Sequence, residues 1–241
     1  MRYIFALLAF AAVPVFAQAP ASTPGKEVVF FSFHNARLEP PDYTFQLSQD
    51  CAAIYTAKPG KEEAKSADND GEREAEEENE SGEKRAIRFA SDTCKSIFDL
   101  AKTLGYLKGD FEYRKHKVAY TGDRTLGYFA PGISNKTSFT FSENPQVQQL
   151  AAIFEGTAAT LEAEPKLKYL RRYDRLGLNE ALKGLEGQAE KGWLRELQLL
   201  VPELESIAKD TQVMNIARQR AQHLLQIAQA GASAPPTRPK K

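Results

Sequence analysis

Ser91 to Gly105 reads S-D-T-C-K-S-I-F-D-L-A-K-T-L-G, the first amphipathic helical pattern in the chain. Ser91 is a suitable N-cap, and Asp92 in the first turn complements the helix dipole. Cys94, Ile97, Phe98, Ala101 and Leu104 follow at i, i+3, i+4, i+7 and i+10, a single apolar stripe. Gly105 suits the left-handed position just past a helix end. One helix with one apolar face needs a sheet or another helix to cover it.

Upstream lie the strands that supply it. Val28–Phe33 is β-branched and aromatic, and Tyr43–Leu47 alternates Tyr, Phe and Leu against Thr and Gln. Pro40-Pro41 marks a turn between them. Gln49-Asp50 marks another, after which Ala53–Thr56 resumes the strand pattern as the second arm of a hairpin. Ala86–Ala90 has strand composition again, directly before the helix. Residues 61–84 break this pattern with a Glu-dominated run that lacks any large apolar residue. Such a run cannot bury enough surface to offset its chain entropy, so it is expected to be a disordered acidic insertion.

Downstream, Lys117–Thr121, Thr125–Phe129 and Thr137–Phe141 read as strands, with turns at Gly122-Asp123 and Pro131-Gly132. Asn144-Pro145 starts a second helix, an N-cap followed by proline at N1. Val147, Leu150, Ala151, Phe154, Ala158 and Leu161 form its apolar face, and Pro165 is expected to close it. Helical character then continues over Lys166–Glu190, Trp193–Ala208 and Thr211–Ala230, with Gly231 as a stop. Leu197, Val201, Leu204 and Ala208 carry a 4-3-4 spacing suited to packing on another helix.

The order strands, helix, strands, helix predicts an α+β fold: an antiparallel sheet with helices packed on one face, followed by a C-terminal helical region. It is not the alternating β/α order of a doubly wound nucleotide-binding fold. The expected divisions are 1–17, 18–25, 26–164, 165–230 and 231–241. In turn these are a signal peptide, a flexible leader, the α+β domain carrying the insertion, the helical region and a disordered Pro-rich basic tail. In the first of them Arg2 supplies a positive start, Ile4–Phe16 an apolar run, and Val15 and Ala17 small residues before a cleavage site at Gln18. The run falls short of the roughly 20 apolar residues that span a bilayer. Export to a periplasmic or extracellular space, without a transmembrane anchor, is the expectation.

The formal net charge is zero. Because residues 61–85 hold eleven acids against five bases, the remaining excess of base is spread thinly over the rest of the chain. A nucleic-acid-binding domain shows a concentrated basic excess, so nucleic acid is not an expected partner.

Tyr43–Ala57, Ile97–Gly105, Val118–Thr125 (V-A-Y-T-G-D-R-T) and Asn144–Leu161 together resemble uncharacterised exported bacterial domains. These have a hairpin ending in a small turn, a helix, a strand with a Thr-Gly-Asp-like turn, further strands and a closing helix. The resemblance spans about half the chain and implies a compact α+β sheet domain. It carries no functional residue. Where such domains place glycine or a polar residue in the hairpin, this chain has Cys51.

Cys51 and Cys94 are the only cysteines, and in an oxidising compartment they are expected to pair. The alternative is two separately buried thiols. No Cys-x-x-Cys redox spacing exists. Ser66, Asp68, Asp70, Gly71 and Glu77 fall at EF-hand positions, but Ser66 and Arg73 are the wrong residues for calcium, and chance explains the match in so acidic a run. His34, His116 and His223 lack ligand spacing, and the chain has no nucleophile elbow, phosphate loop or dinucleotide fingerprint. No cofactor, metal or catalytic residue is therefore assigned. Lys168, Arg171, Arg172 and Arg175 form a basic stripe, read most simply as a solvated helix face opposite Leu170 and Tyr173. Its functional readings are an anionic surface such as lipid headgroups, or the chain's own acidic run.

Trp193, Leu194, Leu197, Leu200 and Val201 concentrate apolar surface in one short stretch. They either close the helical region over the sheet or offer a surface to another envelope protein or a second copy of the chain. The expected function is a non-enzymatic binding or structural protein of the cell envelope acting through protein–protein contacts. The alternative is a secreted hydrolase with a dispersed carboxylate site.

Overall fold

Val29, Phe31 and Phe33 point from strand β1 (Val28–His34) into the core and are all but fully buried. Val28, Phe30 and Ser32 line the other face and are half-buried. This is the period-2 alternation of a strand covered on one side. The computed structural model describes residues 26–58 and 82–231. The expected signal peptide and leader, most of the acidic run with its EF-hand-like pattern, and the tail from residue 232 onward lie outside the described residues.

Strands β2 (Asp42–Ser48), β3 (Ala52–Lys58), β4 (Glu83–Arg88), β5 (Asp123–Ala130) and β6 (Ile133–Phe139) complete one antiparallel sheet in the order β4-β3-β2-β1-β5-β6. Helix α1 (Ser91–Thr103) connects β4 at one edge to β5 on the far side of β1. Its stripe of Cys94, Ile97, Phe98 and Ala101 is buried in the sheet core as read from the spacing, and Gly105 follows at φ 63. Helix α2 (Pro145–Tyr173) packs on the same face. Asn144 caps it by accepting the Gln146 N–H at 2.9 Å, and Phe154 stacks on Phe31 at 5.0 Å between ring centroids. Burying such a side chain contributes roughly 1.5–3 kcal/mol.

Cys51 and Cys94 form a disulfide, their Cα atoms 5.6 Å apart. Cys51 closes the three-residue β2–β3 loop at φ 64, where glycine is the unstrained choice; the cystine is what needs a side chain there. It ties the hairpin to α1.

Glu83 and Lys84, expected to end the disordered insertion, are instead paired in β4 with Ala57 and Thr56, and three further sequence expectations are corrected. Lys117–Thr121 is no strand: β1 is already flanked by β2 and β5, so this segment has no free central edge to join, and Val118 and Tyr120 lie exposed. Pro165 does not end α2, which continues to Tyr173. Proline lacks the N–H that would bond Leu161, four residues earlier. Arg85 from β4 fills that vacancy, its Nη1 donating to the Leu161 carbonyl at 3.0 Å. The break comes instead at Asp174, whose carboxylate accepts the Gly177 N–H at 2.8 Å and caps α3 (Arg175–Glu190). The proline coincides with a change of partner. Buried residues up to Leu161 belong to the sheet core, and those from Ala163 onward to a second, helical core. That core also contains α4 (Val201–Lys209) and α5 (Asn215–Gly231). Finally, Trp193–Ala208 is not one helix: an irregular segment and a 3₁₀ turn (Leu197–Leu200) precede α4, whose start Pro202 favours.

Candidate interaction surface

The segment between α3 and the 3₁₀ turn is held by hydrogen bonds at Gly192, Trp193, Arg195 and Glu196. Gly192 ends α3 at φ 68, with its N–H bonded to Ala189 and that of Trp193 to Gln188, a Schellman cap. The Arg195 N–H donates to the Gly156 carbonyl at 3.2 Å, and the Arg195 carbonyl accepts the Thr160 hydroxyl at 2.6 Å. This close approach requires Gly156. A Cβ there would collide with the Trp193 carbonyl oxygen and the Arg195 side chain.

Glu196 follows in the left-handed region at φ 54, with its side chain buried. Its carboxylate accepts the Ala90 N–H at 2.7 Å and a Gln198 amide N–H. Ala90, not Ser91, occupies the N-cap position of α1 and provides no side-chain cap. A negative group from the helical region thus sits at the positive end of the helix that holds Cys94. The expected Ser91 cap is replaced by one supplied 106 residues away.

This pinning sorts the predicted surface residues. Leu194 is 5 % exposed and Leu200 0 %, both inside the helical core, while Leu197 and Val201 are half-buried. The apolar stretch therefore mostly closes the helical region, and these leucines are not a surface. Trp193 is the exception. It is 62 % exposed, with the Lys191 ammonium 4.6 Å from its ring centroid. It borders a groove of about 520 Å³ lined by Ala152, Glu155, Gly156 and Ala159 of α2 together with Glu190, Lys191 and Arg195. Sequence reading found the tryptophan but missed Gly156, Thr160 and Glu196, which set its position. A glycine within an otherwise apolar helix face was the available signal for Gly156.

Two carboxylates, Glu155 and Glu190, line the same groove, and others lie elsewhere on the molecule. Glu155 pairs with Arg124 at 2.6 Å, Glu162 accepts the Tyr55 hydroxyl at 2.8 Å, and Glu203 lies 3.3 Å from Arg171. Burial pushes the pKa of Glu162 and of Glu203 up, and pushes the phenols of Tyr43 and Tyr55 up as well. His34 contacts Asp42 at 2.6 Å and His223 contacts Glu186 at 3.1 Å, on separate parts of the molecule. Among the described residues no group of three or more His, Cys, Asp or Glu is arranged to hold a metal ion. No described helix is long and apolar enough to cross a membrane.

Compared with known proteins, the chain matches no protein-family model, and the search of curated proteins finds no relative.

Proposed function

We propose that the chain is an exported, non-enzymatic binding protein that engages another polypeptide through the Trp193 groove. The observation that carries this reading is Trp193 itself: a tryptophan 62 % exposed on a backbone fixed by Gly156, Thr160 and the Schellman cap. A large aromatic group presented on a pre-ordered segment loses little conformational freedom on binding, and tryptophan is among the commonest anchors of protein interfaces. The small side chains of Ala152 and Ala159 leave room beside it for a partner side chain, while Lys191 and Arg195 with Glu155 and Glu190 give the lining charges of both signs. The cystine supports an oxidising compartment, and with it the exported location. The hydrolase reading is weaker, because Glu155, Glu162 and Glu203 are each engaged by a structural partner.

A photo-crosslinking aromatic residue at position 193, introduced in the native host, tests the proposal. A discrete adduct that is absent when the probe replaces exposed Tyr120 is the expected result. Equal or no adducts from the two positions would remove the basis for the reading.

A further inference from the structure

At the far end of α3 from Trp193 the surface has a different chemistry. The α3 helix is 16 residues long, so about 24 Å separates its ends. At its start, Tyr169, Tyr173 and Leu176 are 62 %, 66 % and 70 % exposed, among the most exposed large apolar residues of the described chain. The two tyrosine rings contact each other at 5.0 Å, and the Arg172 guanidinium lies 5.8 Å from the Tyr173 ring centroid. Tyr173 is therefore not the buried counterface of the basic stripe that the sequence predicts. It stands in the open beside it.

The charges at this corner are unequal in their freedom. Lys168 pairs with Glu164, and Arg171 with the buried Glu203. Asp174 and Asp210 each accept a backbone N–H, from Gly177 and Gln212. Among the described residues, Lys166, Arg172 and Arg175 have no carboxylate within ion-pair distance; Arg175 bonds only the neutral Gln212 side chain. Glu164 and Glu203 are thus neutralised by pairing, Asp174 and Asp210 keep their charge while capping, and three exposed cations outnumber those two acids. Two tyrosines and a leucine stand among those cations.

We infer that this corner, built from Tyr169, Tyr173 and Leu176 with Lys166, Arg172 and Arg175, seats the protein on an anionic lipid surface. Positive charge with amphipathic aromatic side chains matches the headgroup zone, where rings sit at the boundary and each basic residue adds attraction that salt screens. The attachment is peripheral and does not depend on the Trp193 reading, because the two surfaces lie at opposite ends of α3.

Vesicle co-sedimentation tests it with the purified protein, using phosphatidylcholine vesicles with and without phosphatidylglycerol. The expected result is binding to the phosphatidylglycerol vesicles that weakens as salt rises. The Arg172→Glu/Arg175→Glu double variant should weaken it at least about tenfold, and Tyr173→Ala/Leu176→Ser should weaken it several-fold. All four positions are exposed, so an unchanged Tm is expected in both variants, and Trp193→Ala should bind like the wild type. Failure to bind, equal binding to both vesicles, or binding that the charge reversal leaves intact would overturn the inference. An acidic protein as the true occupant would appear as the first of these.

Discussion

The carboxylate of Glu196 caps helix α1 through the backbone N–H of Ala90, at 2.7 Å. Neither residue is near the other in sequence, and the bond joins the helical region to the sheet domain at the segment that presents Trp193. Glu196→Ala should destabilise the protein by about 1–2 kcal/mol, the worth of a lost N-cap. Glu196→Gln keeps an acceptor but loses the charge that favours the helix N-terminus, so its loss should be smaller. Urea unfolding of the three proteins measures this, and equal losses for both variants would contradict the dipole contribution.

Arg85 and Pro165 should be energetically coupled. Arg85 bonds the Leu161 carbonyl, which Pro165 cannot satisfy from within the helix. Arg85→Ala is expected to cost about 1–2 kcal/mol in the native background. In a Pro165→Ala background, where the helix supplies its own N–H to Leu161, the same change should cost about 1 kcal/mol less. A double-mutant cycle by denaturant unfolding yields the coupling directly; strict additivity would mean that the guanidinium is held there for another reason.

The cystine closes a loop with a sequence separation of 43. Chain-entropy reasoning puts its contribution at about 2–4 kcal/mol. Reductant, or Cys51→Ser/Cys94→Ser, should lower Tm accordingly. Cys51→Gly should lose less than Cys51→Ser, because position 51 has φ 64. Calorimetry with and without reductant checks both statements, and a Tm insensitive to reductant would show that the bond does not constrain the unfolded chain.

Glu162 predicts a pH signature. Burial raises its pKa, and the Tyr55 hydroxyl and Arg85 oppose that shift without cancelling it. A carboxyl with a raised folded-state pKa contributes stability that is complete below the unfolded value, near 4.3, and is lost as pH rises through the folded value. At neutral pH the ionised group therefore weighs against the fold. Glu162→Gln retains an acceptor for Tyr55 and removes the charge. Its stability relative to the wild type should rise with pH above about 4 and then level off. A pH-independent difference in thermal melts would rule out this linkage.

Local patterns carried much of the fold. The alternation in Val28–Phe33 and Tyr43–Leu47, the stripe of Ser91–Leu104 and the Asn144-Pro145 start each appear in the structure at their predicted places. They were legible because period and capping are properties of adjacent residues. The errors fall where a distant residue completes a local defect. Pro165 reads as a stop until Arg85 arrives from β4, and Ser91 reads as a cap until Glu196 takes that role. Lys117–Thr121 has the right alternation but lies outside the sheet, both sides of β1 being taken by β2 and β5, which only the sheet order reveals. For the surface, composition located Trp193–Val201. It could not separate the buried Leu194 and Leu200 from the exposed Trp193, because the left-handed turn at Glu196 interrupts the helical period on which that sorting depends.

Native mass spectrometry of the protein taken from its own compartment, without reductant, comparing wild type with Trp193→Ala, decides whether Trp193 anchors a partner polypeptide. Trp193 is exposed, so the substitution should leave the fold intact. A wild-type complex with another polypeptide that is lost or strongly reduced in the variant is the expected result. A lone wild-type monomer, or a complex that survives Trp193→Ala unchanged, would contradict it.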